Sequence, residues 1–99
     1  MTRYRWYVGK VDKDGQDVPV VDQDTAIRLV DRYMSGCTVY HAVGYWQNQR
    51  ELSLVIEAIH PDNPESDWAA SIAWDLRRIC RQNAVLWTLE TVNGGLVEE

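Results

Sequence analysis

One group of residues suited to a binding site lies on a predicted helix. Trp74, Arg78 and Arg81 recur at i, i+4 and i+7, so they share one helical face. Arginine binds phosphates and carboxylates as a bidentate fork, and tryptophan and arginine dominate the energetics of interfaces. This face predicts a site for an anion or a protein partner. The alternative is two arginines near the negative end of the helix dipole, with the indole packed on their aliphatic stems.

A second group alternates along the first strand-like segment and the central hairpin. Side chains two positions apart in a strand share one face of the sheet. The group therefore gathers on the open face, the sheet surface away from the helices. Such a surface binds a ligand or a second subunit, although cross-strand pairs of aromatics and opposite charges also occur on solvated sheets. Its members are Arg3, Arg5, Tyr7, Tyr40 and Trp46.

The cysteines and histidines give a weaker indication of chemistry. Cys37 and Cys80 match no zinc or redox spacing, and buried thiols are the simplest interpretation. His41 and His60 are predicted on the helix side, with His60 near Cys37. A Cys–His pair can act as nucleophile and base, but no third group orients this one. The acidic turn at 12–17 lacks the ligand spacing of a calcium loop. We therefore predict no catalytic residue, no metal site and no cofactor.

Composition limits the class of protein. Of 99 residues, 45% are hydrophobic and 25% charged, as in an ordinary globular domain. No apolar run could span a membrane, and the N-terminus lacks a secretory signal, so a cytoplasmic location is expected. The net charge of −5 disfavours duplex nucleic acid. Five Trp, five Tyr and no Phe give every aromatic ring a polar group, which suits interfaces. We expect a single domain over 1–99, with 93–99 as a flexible or partner-contacting tail.

Hydrophobic periodicity predicts the elements that position these residues. A cap at Asp22 or Asp24 is expected before the first helix, which Gly36 would end. Asn63 and Pro64 would begin the second helix. The predicted strands are 4–11, 37–46, 51–60 and 84–92, and the first helix is 25–35. This order predicts an α+β, ferredoxin-like βαββαβ sandwich, in which a four-stranded antiparallel sheet carries two helices on one face.

The hairpin register assigns side chains to the two faces of the sheet. A turn centred on Asn48 and Gln49 pairs residues whose numbers sum to 97. The helix side then holds the core, which is expected to include Trp6, Val8, Tyr33 and Tyr45. The third strand would place two carboxylates, Glu51 and Glu57, on the open face. RNA recognition on that face is disfavoured because carboxylates repel phosphates.

Five short motifs occur in order along nearly the whole chain: Tyr7-Val8-Gly9, Thr38-Val39-Tyr40, Gly44-Tyr45-Trp46, Leu54-Val55-Ile56-Glu57 and Gln82-Asn83-Ala84-Val85-Leu86. Together they resemble a group of short, uncharacterised proteins encoded mainly by bacteriophages. The resemblance implies a ferredoxin-like fold and a phage context. Small acidic phage proteins often oppose host defences by binding a defence protein or sequestering a nucleotide immune signal. No catalytic residue carries over from the resemblance.

These observations predict a small non-catalytic binding protein, phage-encoded, that sequesters a host immune component and self-associates. Its partner would be a nucleotide immune signal or a defence protein. Two alternatives remain open. One is a small ferredoxin-like enzyme that uses His41 or His60 as a base at a subunit interface. The other is a structural module whose sheets dimerise open face to open face through Tyr40 and Trp46.

Overall fold

The sheet and helices follow the predicted order. In the computed structural model, which describes residues 1–61 and 66–99, the elements are β1 (Thr2–Gly9), α1 (Val20–Met34), β2 (Thr38–Trp46), β3 (Gln49–His60), α2 (Ser66–Ile79) and β4 (Leu86–Thr91). The strands form one antiparallel sheet in the order β2-β3-β1-β4. The α+β, ferredoxin-like βαββαβ fold is thus confirmed. The helix start predicted at Asn63 and Pro64 lies outside the described residues.

The core lies between the sheet and the two helices. Alternate residues of β1 point inward, and Tyr4, Trp6 and Val8 are buried. The indole N–H of Trp6 donates to the carbonyl oxygen of Ala69 at 3.0 Å, which ties the middle of the sheet to α2. Helical spacing of apolar residues supplies the other half of the core, as amphipathic helices require. The buried helical residues are Ala26, Val30, Met34, Ala69, Ile72, Ala73 and Leu76.

Helix α1 begins earlier than predicted and uses a different cap. Its N-cap is Pro19, whose carbonyl oxygen accepts from the N–H groups of Asp22 and Gln23, so the predicted cap at Asp22 or Asp24 is wrong. Val20 and Val21, in the first turn, are exposed, and their β-branched side chains are typical of strands. The start of the helix was therefore not recognised in the sequence. The helix ends at Ser35 in the left-handed conformation (φ 56°), one residue before the predicted Gly36.

The turn of the β2–β3 hairpin lies one position earlier than predicted, which shifts the cross-strand partner of every residue by two. The partners sum to 95, as in Thr38 with Glu57, and the turn consists of Gln47 and Asn48. Both turn residues have positive φ (48° and 64°), as a type I′ turn requires. Because the slip is two residues, every hairpin side chain keeps its predicted face.

The end of the hairpin projects from the body of the molecule. β1 pairs with β3 as far as Ser53, and one further bond runs from Lys10 N–H to the carbonyl oxygen of Leu52. Residues 43–52 therefore form a two-stranded hairpin arm, and the molecule measures 44 × 28 × 28 Å. Tyr45 faces the helix side but is 75% exposed, because no helix covers the arm, so its predicted core position is wrong. Tyr33 is also half exposed rather than in the core.

Neither of the helices in the described part of the chain is long and apolar enough to cross a membrane.

Candidate functional site

A hollow of about 580 Å³ lies on the open face, between the end of β1, the root of the hairpin arm and the segment before β4. Its volume is in the range of small-molecule sites. β1 contributes Tyr7 and Gly9, and the arm contributes Gly44, Trp46 and Glu51. Two of these five residues have no side chain, so backbone forms part of the surface. Tyr7 and Trp46 were predicted as site residues, and the structure brings them to this one hollow.

Close packing around Gly9 shapes this part of the hollow. A Cβ at this position would lie 2.6 Å from Gln82 Oε1 and 2.8 Å from Glu51 Oε1. Both distances are shorter than carbon and oxygen allow, so only glycine fits without displacing one of them. Because Gly9, at the end of β1, has no side chain, the Gln82 amide and the Glu51 carboxylate can both approach the backbone there.

Gln82 is a buried residue that the sequence analysis did not select. Its Oε1 accepts from Gly9 N–H at 3.0 Å, and its Nε2 donates to the carbonyl oxygens of Gly9 (3.0 Å), Val11 (3.2 Å) and Cys80 (3.0 Å). Since β4 begins only at Leu86, paired with Tyr7, the Gln82 amide replaces the missing strand neighbour beside Gly9. Its place in one of the five motifs is the only signal for it in the sequence.

Of the residues that the structure describes, three with charged side chains line the hollow: Lys13, Asp12, which is paired with Arg81, and Glu51. Glu51 gives the hollow an excess of negative charge. Within the described part of the chain it makes no ion pair. Tyr7 and Trp46 line the same hollow, and Trp46 is 69% exposed. Aromatic faces and a carboxylate both attract cations, and such attraction strengthens where water is displaced. The hollow can therefore accept a ligand that combines a positive charge with a flat apolar ring.

Arg3 and Arg5, both predicted to bind a ligand, lie in a cluster of four charges elsewhere on the open face. Arg3 Nε donates to Glu90 at 2.9 Å, and Arg5 Nε donates to Glu57 at 2.7 Å. Longer contacts cross-link the pairs, at 3.8 Å for Arg3–Glu57 and 3.6 Å for Arg5–Glu90. The hydrogen bond from Arg3 lowers the pKa of Glu90, and that with Glu57 raises the pKa of Arg5. The cluster balances its own charge, and neither arginine lines the hollow.

Tyr40 has a packing position on the open face. Val55 points to this face yet is only 1% exposed, and its cross-strand partners are Tyr7 on one side and Tyr40 on the other. Directly paired side chains lie about 4.5–5.5 Å apart at Cβ, close enough for the rings to cover the valine. Tyr7 thus belongs to both this apolar patch and the hollow.

The predicted group of Trp74, Arg78 and Arg81 surrounds a second, smaller hollow of about 280 Å³, although α2 ends at Ile79 and Arg81 lies beyond the helix. Trp74, Arg78 and Arg81 all line it, together with Lys13, Arg77 and Gln82. The Arg77 guanidinium carbon lies 5.3 Å from the centre of the Trp74 ring, within cation–π distance. Arg77 was not among the predicted site residues, because it lies outside the i, i+4, i+7 spacing of that group. Lys13 and Gln82 also line the larger hollow, so the two are neighbours.

Acidic side chains already bind two arginines of this basic hollow. Arg78 pairs with Asp75 at 3.0 Å, and Arg81 pairs with Asp12 at 3.1 Å and Asp14 at 3.0 Å. Hydrogen bonds from the backbone N–H groups of Gln16 and Asp14 lower the pKa of Asp12, with a further contribution from Arg81. An anion entering here would have to compete with these carboxylates, which makes this hollow the weaker of the two sites.

Neither cysteine is present as the thiolate that a nucleophile requires. Burial raises the pKa of Cys80 to about 11 and raises that of Cys37, so both thiols are protonated near neutral pH. His60 pairs with Thr2 across the sheet and packs edge-on against Trp68, while His41 is exposed. Among the described residues, no group of three His, Cys, Asp or Glu could hold a metal ion.

Solved structures share this fold. A phage SAM lyase in complex with S-methyl-5'-thioadenosine matches with a TM-score of 0.67 and 16% identity, over 90% of this chain and 79% of that one. A phage SAM lyase in the apo state matches with a TM-score of 0.60 and 21% identity, over 90% and 78%. A DUF3240 family protein from Shewanella baltica matches with a TM-score of 0.59 and 16% identity, over 97% of both chains. No protein-family model and no curated protein matches the chain.

The structural matches contradict the prediction of a non-catalytic protein and agree in part with the predicted phage context. The prediction of a non-catalytic protein is wrong: it rested on missing motifs, whereas a phage enzyme has this fold over most of both chains. The absence of a known motif therefore does not mark a binding protein. The predicted phage context agrees with these structures at the level of fold, since two of the three belong to phage proteins.

Proposed function

We propose that this chain is a small enzyme that cleaves S-adenosylmethionine (SAM), or a closely related adenosyl sulfonium, in the hollow that Tyr7, Trp46 and Glu51 line. The Glu51 carboxylate supports this assignment most directly, because it lies in a hollow with aromatic rings and has no basic partner in the described part of the chain. SAM carries a positive sulfur and an adenine ring, which match a carboxylate and aromatic faces. The fold shared with a phage SAM lyase supports the same assignment.

The charge of the hollow disfavours the nucleotide immune signals suggested by the sequence. Their phosphates would approach Glu51 in a protein whose net charge is already −5. The adenosine part of SAM is uncharged, and the sulfonium adds attraction instead of repulsion. A volume of about 580 Å³ is sufficient for a molecule of this size.

The ligand bound to the phage SAM lyase suggests which bond this chain would break. S-methyl-5'-thioadenosine is SAM without its aminobutyrate chain, so the bond between sulfur and that chain is cleaved and sulfur keeps the electron pair as a neutral thioether. Without water as a co-reactant, the four-carbon fragment leaves by one of two routes. Attack by its own carboxylate gives a lactone, and loss of a proton to a base gives an alkene. Two carboxylates of the described chain line the hollow, and because Asp12 is paired with Arg81, Glu51 is the base we assign to the second route.

An enzyme that consumes SAM could still act against host defences, as the sequence suggested, by catalysis instead of sequestration. A phage protein that removes a host methyl donor deprives host methylation reactions of their substrate. One catalyst turns over many molecules, which suits a small protein better than one-to-one capture of an abundant metabolite.

The test is incubation of the purified protein with SAM, with products identified by liquid chromatography and mass spectrometry. We expect S-methyl-5'-thioadenosine together with a lactone or an alkene. Glu51→Gln keeps the shape of the side chain and removes its charge, so turnover should fall roughly 100-fold or more, as for loss of a general base or a charge partner. Glu98→Gln, an equal change in the exposed C-terminal segment, serves as the matched control and should keep full turnover.

Two results would contradict the proposal. One is the absence of cleavage by the wild type at any enzyme concentration, together with no binding of S-methyl-5'-thioadenosine in calorimetry. The other is equal turnover by the wild type and Glu51→Gln, which would move the reaction to another part of the molecule.

A further inference from the structure

β2 forms one edge of the sheet, and nothing in its sequence protects that edge. Its nine residues, Thr38–Trp46, include no charged residue and no proline. Natural edge strands usually carry lysine, proline or a bulge that prevents pairing with another chain. The opposite edge, β4, is shorter, at six residues, and it carries Glu90. β2 is therefore the edge at which a further strand can add.

The hairpin arm exposes apolar side chains of both β2 and β3 on the helix side of the sheet. Tyr45 is 75% exposed, Val43 49% and Leu52 43%, because the chain's own helices do not extend over the arm. A two-stranded ribbon is only marginally stable in water by itself, and adjacent exposed apolar residues mark an interaction surface. The described part of the chain does not cover the arm.

We propose that β2 pairs antiparallel with β2 of a second copy of the chain, which joins the two sheets into one sheet of eight strands. With all nine residues overlapped, the two-fold axis passes through Ala42, and Tyr45 lies opposite Val39 of the partner subunit. This operation places the helices of both copies on the same side of the joined sheet. In each copy Val39 packs against the helix-covered core, so each arm comes to lie beside the helix-covered end of the other copy's sheet.

Charge favours a second copy as the occupant. Because the net charge is −5, most contacts between two copies would bring acidic surfaces together. β2 is uncharged, and residues 43–52 carry only Arg50 and Glu51, whose charges cancel. An antiparallel pairing about a two-fold axis is also self-complementary, as in most homodimers. A stable dimer buries about 800 Å² per subunit, a little over a tenth of the 6880 Å² surface of this chain, which a strand edge and a covered arm can supply together.

Disulfide trapping tests the pairing. In a Cys37→Ala background, Ala42→Cys would place two thiols across the axis. Directly opposed residues of antiparallel strands have Cα atoms about 4.5–5.5 Å apart, within the range that a disulfide spans. We expect rapid formation of a covalent dimer under mild oxidation. Thr88→Cys, exposed on the opposite edge strand, is the matched control and should stay monomeric on denaturing gels.

Light scattering on the uncrosslinked protein gives a second measurement. We expect a dimer for the wild type and a monomer for Val43→Lys/Tyr45→Lys, whose changes lie at exposed positions and leave the core intact. Leu86→Lys, an exposed open-face variant, should remain a dimer. The proposal would be overturned if the wild type were a monomer or a trimer. It would also be overturned by a dimer in which Ala42→Cys forms no crosslink, or by a dimer that only Leu86→Lys dissociates. These outcomes do not depend on whether the chain cleaves SAM.

Discussion

At the scale of single residues, Gln82 replaces a strand neighbour with one side chain. Its amide makes four hydrogen bonds, two of them with the N–H and carbonyl of Gly9. Gln82→Leu keeps the volume and leaves these buried backbone groups without partners. A buried group without a partner costs about 1–3 kcal/mol. We therefore expect the free energy of unfolding, from urea denaturation, to fall by roughly 2–4 kcal/mol.

Gln49→Leu is the control for this substitution, because Gln49 is exposed at the start of β3. Exposed substitutions usually change stability by less than about 0.5 kcal/mol. Equal effects of the two leucine variants would contradict the structural role of Gln82.

The sequence predicted on which face of the sheet a residue lies better than it predicted the residue's ion-pair and hydrogen-bond partners. Alternation along β1 placed Arg3, Arg5 and Tyr7 on one surface, and the structure confirms it. The partner of Arg3, Glu90, could not be predicted, since it lies on β4 and depends on the β1–β4 register. Gln82 was missed because its hydrogen bonds go to the backbone 73 positions away, which no local pattern encodes.

At the scale of elements, the end of α2 has a complete C-terminal motif built on a residue that is not glycine. Arg81 has a φ of 52°, Gln82 N–H donates to the carbonyl of Arg77, and Arg81 N–H donates to that of Arg78. This is the Schellman arrangement, in which glycine normally takes the left-handed position. A side chain in that conformation costs about 1–2 kcal/mol. The ion pairs from Arg81 to Asp12 and Asp14 join the helix end to the first turn.

Comparison of Arg81→Gly with Arg81→Ala separates backbone conformation from charge. Both variants lose the guanidinium and its ion pairs, so the difference between them reports the backbone alone. We expect Arg81→Gly to be more stable by about 1 kcal/mol in urea denaturation. Equal stabilities would show that the helix end relaxes from the left-handed conformation once the arginine is removed.

Element boundaries were predicted where they depend on periodicity and missed where they depend on local geometry. The buried residues of α2, such as Ala69, Ile72 and Leu76, recur at helical spacing along the sequence, which is the pattern that predicts a helix. The start of α1 was missed because Val20 and Val21 resemble a strand and are exposed in the helix. The exposure of Tyr45 was missed because periodicity gives the face of a residue but not how far the helices extend over it.

At the scale of the whole molecule, an unpaired carboxylate at the site has a cost in stability. Arg3, Arg5, Glu57 and Glu90 balance one another, whereas Glu51 adds to a net charge of −5 without a partner in the described part of the chain. A functional residue that opposes stability is common, since sites are selected for activity. Glu51→Gln should therefore raise the melting temperature, even though we expect it to lower SAM cleavage roughly 100-fold or more.

The expected gain is small but measurable. Removal of one repulsive charge is worth up to about 0.5 kcal/mol, which corresponds to roughly 2–4 °C for a chain of this size. Thermal unfolding of the wild type, Glu51→Gln and Glu98→Gln in low salt would measure it. The gain at Glu51 should exceed that at Glu98 and shrink in high salt, because screening weakens the repulsion. A fall in the melting temperature of Glu51→Gln would instead make Glu51 a structural residue, and lost turnover in that variant would then reflect lost folding.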